Sequence, residues 1–138
     1  MRTVYLCGPI NGKTDDECKG WRATATSLLS GHFRIMDPMV RDYRGIEDSN
    51  VSAIVEQDLA DIGESHFVLV NAETPSWGTA MEVLAAYRDL KTVVLFTSSP
   101  RISPWLRYHS HRVCHTVEGA CGWLMEVIGE NNFKKEIR

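Results

Sequence analysis

A chain of 138 residues with 43% hydrophobic residues is long enough for one domain around a single core. Its formal net charge of -3 and pI near 5.9 show no excess of basic residues, so we do not expect the protein to bind duplex nucleic acid. Free nucleotides remain possible ligands. No apolar run approaches the roughly 20 residues that span a bilayer, and the first residues lack a signal-peptide pattern, so the sequence predicts a soluble cytoplasmic protein without a membrane partner.

Strands and helices are expected to alternate along the chain. Apolar runs predict strands near residues 3–7, 33–36, 66–71, 92–97 and 112–115, and helices are expected at about 14–30, 47–62, 78–89 and 117–129. The third and fourth strands are continuous apolar runs of the kind that a sheet covered on both faces buries. The pattern predicts an α/β protein, a single-domain three-layer α/β/α sandwich with a mostly parallel five-stranded sheet of the Rossmann or flavodoxin type. It spans residues 1–138, and its tail at 131–138 is expected to fray.

The first strand runs into a loop with two glycines, residues 8–14, which then opens a helix. Backbone N–H groups in such loops can hold an anionic or sugar group. The loop lacks the Lys-Ser/Thr pair of a P-loop and does not fit GxGxxG, so a plain tight turn is the alternative. Its candidates for substrate binding are Gly8, Pro9, Ile10 and Asn11.

A long loop of charged and aromatic residues, 37–45, follows the second strand. Loops of this kind carry function more often than packing. Tyr43 is a candidate to cover a base, and Arg41 and Arg44 are candidates to meet base oxygens or a phosphate, with neither preferred. The alternative is a surface loop whose Asp and Arg side chains pair with each other.

Two carboxylates lie close together on the predicted second helix. Asp58 and Asp61 are three residues apart, hence on neighbouring parts of one helix face, so one of them can point into a site. A solvated surface position is the alternative for each.

A further carboxylate follows the third strand. Residues 75–82 place Glu82 on the first turns of a helix at the carboxyl end of that strand, where open α/β sheets bind ligands. Gly78 is expected to let the backbone approach a ligand closely, and Thr79 is expected to cap the helix. Crowding at this point then explains why the residues before Glu82 are small. Tyr5, Asp58 and Glu82 come from three elements that can meet at one sheet edge, as a glycosyl-transfer site needs.

Cysteines and histidines suggest no cofactor. Four cysteines without CxxC spacing indicate reduced thiols in an intracellular protein: Cys7, Cys18, Cys114 and Cys121. A cluster of histidines at 109, 111 and 115, in which alternation on a strand can bring i and i+2 to one face, raises a zinc site as an alternative, but no Cys or carboxylate pattern completes a ligand set. We expect no metal, and an interface or substrate edge for these histidines.

The ordered set of motifs resembles the nucleoside 2-deoxyribosyltransferase family from Tyr5 to about Trp105. It comprises Tyr-Leu-Cys-Gly-Pro at 5–9, Asp37-Pro38, Asp58 four residues before Ile62, and Gly-Thr-Ala-Met-Glu at 78–82. The resemblance implies that Glu82 is the nucleophile that captures C1 of deoxyribose. It also implies that Asp58 handles the base, that Tyr5 orients the nucleophile, and that Asp37 belongs to the substrate site. The reaction requires no metal or organic cofactor.

One branch of that superfamily hydrolyses deoxynucleoside 5'-monophosphates, and the chain resembles it at two serines. Ser76 matches a phosphate-binding serine, where several transferases carry Asp for the free 5'-hydroxyl. Ser103 resembles a serine that a neighbouring subunit supplies, which implies a homodimer or higher homo-oligomer with shared active sites. The branch carries Arg where this chain has Asn11, and Lys13 is a candidate substitute as a point charge.

The function that these residues predict is cleavage of the N-glycosidic bond of 2'-deoxynucleosides or their 5'-monophosphates through a covalent deoxyribosyl-Glu82 intermediate. The sugar then passes to another base, so the partners are a small-molecule deoxynucleoside or nucleotide and a free base. Hydrolysis with water as acceptor is the first alternative. A signalling domain that binds a nucleotide or cleaves NAD, and a nucleotide-binding scaffold with structural carboxylates, are alternatives of other classes.

Overall fold

The computed structural model describes the backbone of residues 1–137 and the side chains of residues 1–130. The strands are β1 (Thr3–Cys7), β2 (Arg34–Met36), β3 (Phe67–Asn71), β4 (Thr92–Phe96) and β5 (Arg112–Cys114). The helices are α1 (Asp15–Leu29), α2 (Val51–Glu64), α3 (Trp77–Arg88), α4 (Pro104–Tyr108) and α5 (Val117–Ile137), with 3-10 turns at Pro38–Val40 and Glu47–Ser49. The predicted frayed tail, 131–138, lies outside the residues whose side chains are described.

The five strands form one sheet in the order β2-β1-β3-β4-β5, and every neighbouring pair is parallel. One face of the sheet packs against α1 and α5, through residues such as Leu29 and Leu124. The other face packs against α2 and α3, through residues such as Ile62 and Val83. The predicted α/β/α sandwich with a parallel five-stranded sheet is confirmed.

Alternation along β1 decides which side chains reach which layer. Val4 and Leu6 belong to the α1/α5 side, whereas Tyr5 and Cys7 belong to the α2/α3 side. The strand order reverses at β1, because β2 lies on one side of it and β3 on the other. In open α/β sheets, ligands bind outside the carboxyl ends of the strands at this reversal. Tyr5 and Cys7 therefore approach the expected ligand crevice from the α2/α3 side.

Helix termini account for most differences from the predicted boundaries. Helix α1 begins with a capping box. The Thr14 hydroxyl oxygen accepts a hydrogen bond from the backbone N–H of Glu17, and the Glu17 carboxylate accepts one from the backbone N–H of Thr14. Helix α2 starts four residues later than predicted, because 47–49 form a 3-10 turn and the Asn50 side chain donates to the Ile46 carbonyl at 2.8 Å. Helix α4 was not predicted, since five residues are too few to show a helical period.

Within the described part of the chain, no helix combines the length and the apolar character that crossing a membrane demands.

Candidate active site

The three side chains predicted to be catalytic come together on the α2/α3 side of the sheet. Tyr5, on β1, is 0% exposed, and burial, followed by the charges of Glu82, Cys7 and Asp58, raises its pKa far above the usual range. The Asp58 charge also raises the pKa of Glu82. Elements β1, α2 and α3 therefore bring one phenol and two carboxyl groups into a single cluster.

The Glu82 carboxyl group is buried on α3 with one oxygen unsatisfied. Burial is the main cause that raises its pKa from 4.5 to about 7, while the nearby Tyr5 hydroxyl and Cys7 thiol lower it. Neither Oε2 of Glu82 nor the Tyr5 hydroxyl completes a well-formed hydrogen bond among the described side chains. Buried polar atoms are nearly always hydrogen-bonded, and the exceptions concentrate at functional sites. Glu82 therefore has the features of a reactive carboxylate.

Asp58 lies on α2 in a different electrostatic environment. Its Oδ1 lies 3.2 Å from Nη2 of Arg41, and the same nitrogen lies 2.7 Å from Oδ2 of Asp61. Burial, the largest cause, raises the pKa of Asp58, the Arg41 guanidinium lowers it, and the Asp61 charge raises it again. Among the described side chains, the cluster thus holds two carboxyl groups of unequal character: Glu82 has no cation in contact with it, whereas Asp58 has Arg41 beside it.

Arg22 is the residue of this region that the sequence interpretation missed. It lies on α1 with 1% exposure and donates to three backbone carbonyls, those of Cys18 (2.9 Å), Gly8 (3.1 Å) and Leu6 (3.4 Å). Its Nε lies 3.3 Å from Oδ1 of Asp37, an ion pair whose N–H alignment falls short of a hydrogen bond. Arg22 therefore fixes the carboxyl end of β1 and the start of the following loop.

The signal for Arg22 was present in the sequence. It lies on the buried face of α1 with Cys18, Ala25 and Leu29, at helical spacing. An arginine in such an apolar series needs buried acceptors, which the end of β1 provides. Asp37 is its counter-ion, and it also caps the turn that follows, since Oδ1 accepts from the Met39 backbone at 2.9 Å. The structure thus gives Asp37 a local role beside its predicted place in the substrate site.

Gly8 is required by close packing. A Cβ at this position would lie 2.8 Å from Cζ2 of Trp21 and 3.1 Å from Cβ of Asn71. The neighbouring candidates are less constrained: Pro9 is buried, Ile10 is half-buried and Asn11 is exposed. Lys13 lies 3.9 Å from Glu17, so its amine has a carboxylate partner.

The charged loop at 37–45 is organised by Asp-Arg pairs, as its alternative interpretation expected. Arg44 contacts Asp42 and Asp15 and donates to the Lys13 carbonyl at 3.1 Å, so it ties this loop to the one after β1. Tyr43 donates to Gln57 of α2 at 3.0 Å. Of the two arginines, Arg41 is the one whose guanidinium reaches the carboxylate cluster.

The start of α3 differs from what the sequence suggested. The N-cap is Ser76, whose Oγ accepts from the Thr79 backbone at 3.3 Å, so the prediction that Thr79 caps the helix is wrong. Thr79 is instead buried in the first turn. Beside Gly78 there is open space among the described residues, because a Cβ there would meet no heavy atom within 4 Å, so the expected approach of a ligand to its backbone stays a prediction.

Ser76 and Ser103 line one cavity of about 680 Å³ between α3 and α4. Each hydroxyl accepts from the backbone of its own helix start, at 3.2 Å for Ser103 and Trp105. The cavity is lined on the α3 side by Trp77 and Met81, whereas Glu82 is not among its lining residues. The wall of this apolar cavity therefore does not include the Glu82 carboxyl group.

The histidines take local roles. Nδ1 of His111 accepts from the Val93 backbone at 3.0 Å, and Nδ1 of His109 lies 2.6 Å from the Trp105 carbonyl. Tyr87 packs against both rings. In the part of the chain that the structure describes, no three His, Cys, Asp or Glu side chains are grouped to hold a metal ion.

Solved structures share this architecture at low sequence identity. A 2-deoxyribosyltransferase from Leishmania mexicana matches with a TM-score of 0.72 and 17% identity, over 91% of this chain and 98% of its own. The 2-deoxyribosyltransferase from Bacillus psychrosaccharolyticus matches with a TM-score of 0.66 and 19% identity, over 84% and 88%. The CMP N-glycosidase BcmB from Clostridium botulinum matches with a TM-score of 0.63 and 14% identity, over 89% and 98%.

No protein-family model matches the chain, and no curated protein matches its sequence. At identities of 19% or less, the likeness to solved structures concerns the fold. The chain therefore has the fold of the two 2-deoxyribosyltransferases and of the CMP N-glycosidase.

Proposed function

We propose that this chain is an enzyme that cleaves the N-glycosidic bond of 2'-deoxynucleosides or their 5'-monophosphates and passes the sugar to another base. The observation that carries the proposal is the buried Glu82 carboxyl group, whose Oε2 has no hydrogen-bond partner among the described side chains and which lies beside Tyr5 at the carboxyl end of a parallel sheet. The fold shared with two 2-deoxyribosyltransferases supports the same assignment.

In the first step, Glu82 attacks C1 of deoxyribose as the bond to the base breaks. Oxocarbenium character develops at C1, and a carboxylate close to the ring can trap it as a glycosyl ester. The electron pair of the C–N bond goes to the base nitrogen, which takes a proton from the neutral form of Asp58. The raised pKa of Asp58 supports this role, since burial favours its neutral form.

In the second step, an acceptor releases the sugar from Glu82. A nitrogen of the incoming base attacks C1, the ester oxygen leaves with its electron pair, and the Asp58 carboxylate takes the proton from the acceptor. Tyr5 donates toward Glu82, which keeps the carboxylate in one orientation during both steps. This role fits the way in which Tyr5 lowers the pKa of Glu82.

Hydrolysis is the second candidate, and the two serines favour it together with a 5'-phosphate. A serine hydroxyl that accepts from the backbone still has its proton to donate, so Ser76 of the chain that holds Glu82 and Ser103 of a neighbouring subunit can both meet phosphate oxygens. The N-terminus of α3 adds a favourable dipole for an anion. Water would then replace the base as acceptor, and it would lose its proton to the Asp58 carboxylate.

We further propose a homodimer or larger homo-oligomer in which sites are shared, acting in nucleotide salvage. The large apolar side chains around the cavity support an interface, because Trp77 is 91% exposed and Trp105 is 74% exposed. Four free thiols support a cytoplasmic location.

The decisive experiment incubates the protein with each deoxynucleoside and each 5'-monophosphate, with and without a second free base, and separates the products by chromatography. A new nucleoside that forms only with the second base identifies a transferase, whereas release of free sugar or sugar phosphate identifies a hydrolase. A 2-fluoro-2-deoxynucleoside should add a sugar-sized mass to Glu82 if the protein is a covalent catalyst. If there is neither turnover nor such an added mass, the protein is better described as a binding or signalling protein.

Replacing Asp58 with Asn should slow substrates with poor leaving bases more than those with activated ones. An amide cannot protonate the departing nitrogen, and general acid catalysis contributes about 10²- to 10⁴-fold. We expect the loss of kcat/KM to fall in that range for a natural base and to approach tenfold or less for an activated base. Equal losses for both would show that Asp58 positions the base without protonating it.

Hybrid dimers can test the shared site. Glu82→Ala and Ser103→Ala proteins should each lose activity toward a 5'-monophosphate, and a mixture of the two should recover it. If Ser103 acts across the interface, each hybrid holds one site with both residues intact. Hybrids are verified by mass spectrometry under native conditions. No recovery in verified hybrids would place Ser103 in the site of its own chain or outside any site.

A further inference from the structure

Arg41 is shared between two carboxylates of α2, and only one of them belongs to the reaction proposed above. Its Nη2 lies 2.7 Å from Oδ2 of Asp61 and 3.2 Å from Oδ1 of Asp58. All three side chains are largely buried, with exposed fractions of 25% for Arg41, 17% for Asp58 and 15% for Asp61. The shorter contact is thus made to the carboxylate that the mechanism does not use.

This sharing changes what happens when Asp58 loses its charge. In a simple Arg-Asp pair, protonation of the carboxylate would leave a partly buried guanidinium without a counter-ion, which is costly. Here Arg41 keeps its contact with Asp61. The three groups therefore carry one negative charge when Asp58 is ionised, and they are neutral as a set when it is protonated.

Charged and titratable groups face Asp58 from each element packed around it. From outside its own helix these are Tyr5 and Cys7 of β1, Glu82 of α3, Arg22 of α1 and Arg41 of the loop after β2. Asp61 is the group that faces it from α2 itself. Arg41 is the cation in contact with Asp58, so its position controls how readily Asp58 accepts a proton.

We propose that Asp61 is a positioning residue for the proton transfer of Asp58: it anchors Arg41, and so lets Asp58 change between its charged and neutral forms while Arg41 stays paired. The catalytic consequence rests on the function proposed above. During turnover, Asp58 gives its proton to the leaving base and becomes a carboxylate beside Arg41. It recovers the proton from the acceptor, and Arg41 then remains with Asp61.

The first test measures Asp58 without any substrate. In protein labelled with ¹³C at the aspartate carboxyl carbon, the Asp58 signal is assigned by its absence from Asp58→Asn, and its pKa is followed by NMR. Asp61→Asn should lower that pKa by about one pH unit, because a like charge is lost and Arg41 turns fully to Asp58. Arg41→Gln should raise it by a similar amount.

Controls separate this effect from general damage. Glu56→Gln removes one exposed carboxylate from the same helix and should leave the pKa of Asp58 unchanged. Asp61→Glu keeps the charge and should restore most of the wild-type value. The proposal is overturned if Asp61→Asn matches Glu56→Gln, or if Asp61→Asn and Arg41→Gln shift the pKa in the same direction.

The second test is kinetic and has a separate way to fail. For a substrate that needs protonation, the limb of kcat/KM against pH that reports Asp58 should move to lower pH in Asp61→Asn and to higher pH in Arg41→Gln. Shifts of the Asp58 pKa without any turnover by the wild type would overturn the proposed function and leave the electrostatic arrangement intact. Turnover with unmoved pH limbs would overturn the role of Asp61 alone.

Discussion

Glu82→Gln should reduce kcat by at least about 10³-fold while the chain stays folded, because an amide cannot form the glycosyl ester on which the mechanism depends. In the wild type, the profile of kcat/KM against pH should be bell-shaped, since Glu82, whose pKa burial raises to about 7, must be a carboxylate while Asp58 must be neutral. Steady-state kinetics from pH 5 to 9 measures both effects. Near-normal turnover by a folded Glu82→Gln protein would remove Glu82 from the mechanism.

The same substitution should make the protein more stable at alkaline pH, and this result serves as its folding control. Burial raises the Glu82 pKa from 4.5 to about 7, so the folded state binds more protons than the unfolded state between these values. Wild-type stability therefore falls as pH rises through this window, by about 3 kcal/mol in total. Gln carries no charge, so Glu82→Gln escapes this loss.

Urea unfolding at pH 5 and pH 8 checks the prediction. The free energy of unfolding of Glu82→Gln should exceed that of the wild type by up to about 3 kcal/mol at pH 8, and the difference should shrink at pH 5. Glu56→Gln, which removes an exposed carboxylate, should show no such gain at either pH. Equal stabilities at pH 8 would mean that the Glu82 carboxylate is solvated in the folded protein.

The fold was predictable because its signals are local and repeated. Continuous apolar runs at β3 and β4 indicated a sheet covered on both faces, and the structure buries both strands between two helical layers. Period-two alternation on β1 then places Tyr5 on the side of α2 and α3. The convergence of Tyr5, Asp58 and Glu82 follows from this topology and from strand ends that meet at one edge.

Contacts between distant segments were not predictable in the same way. Arg22 meets the end of β1 and Asp37 through the tertiary fold, and no local pattern specifies those partners. The pairing of Arg41 with Asp61 likewise depends on how the loop after β2 crosses α2. At the start of α3, Ser76 and Thr79 are both good capping residues, so only the backbone geometry decides between them.

Ser76→Asp should depress kcat/KM for a 5'-monophosphate by about three orders of magnitude relative to the unphosphorylated nucleoside. Two unit charges of like sign about 4 Å apart repel by about 4 kcal/mol in partly desolvated surroundings, which corresponds to about 10³-fold in rate. The fold should tolerate the change, because Ser76 is the N-cap of α3 and Asp caps helices as well as Ser does. The ratio of kcat/KM for the two substrates, measured at low and high salt, checks the prediction.

Ser76→Asn is the matched control, since Asn is also a good N-cap, has the size of Asp and carries no charge. It should change the ratio by much less than Ser76→Asp, and added salt should reduce the effect of Asp while leaving that of Asn unchanged. A wild type that accepts only the nucleoside, with Ser76→Asp equal or better, would contradict phosphate recognition. Ser76 would then hold the 5'-hydroxyl, and the transfer of deoxyribose between bases would be the favoured reaction.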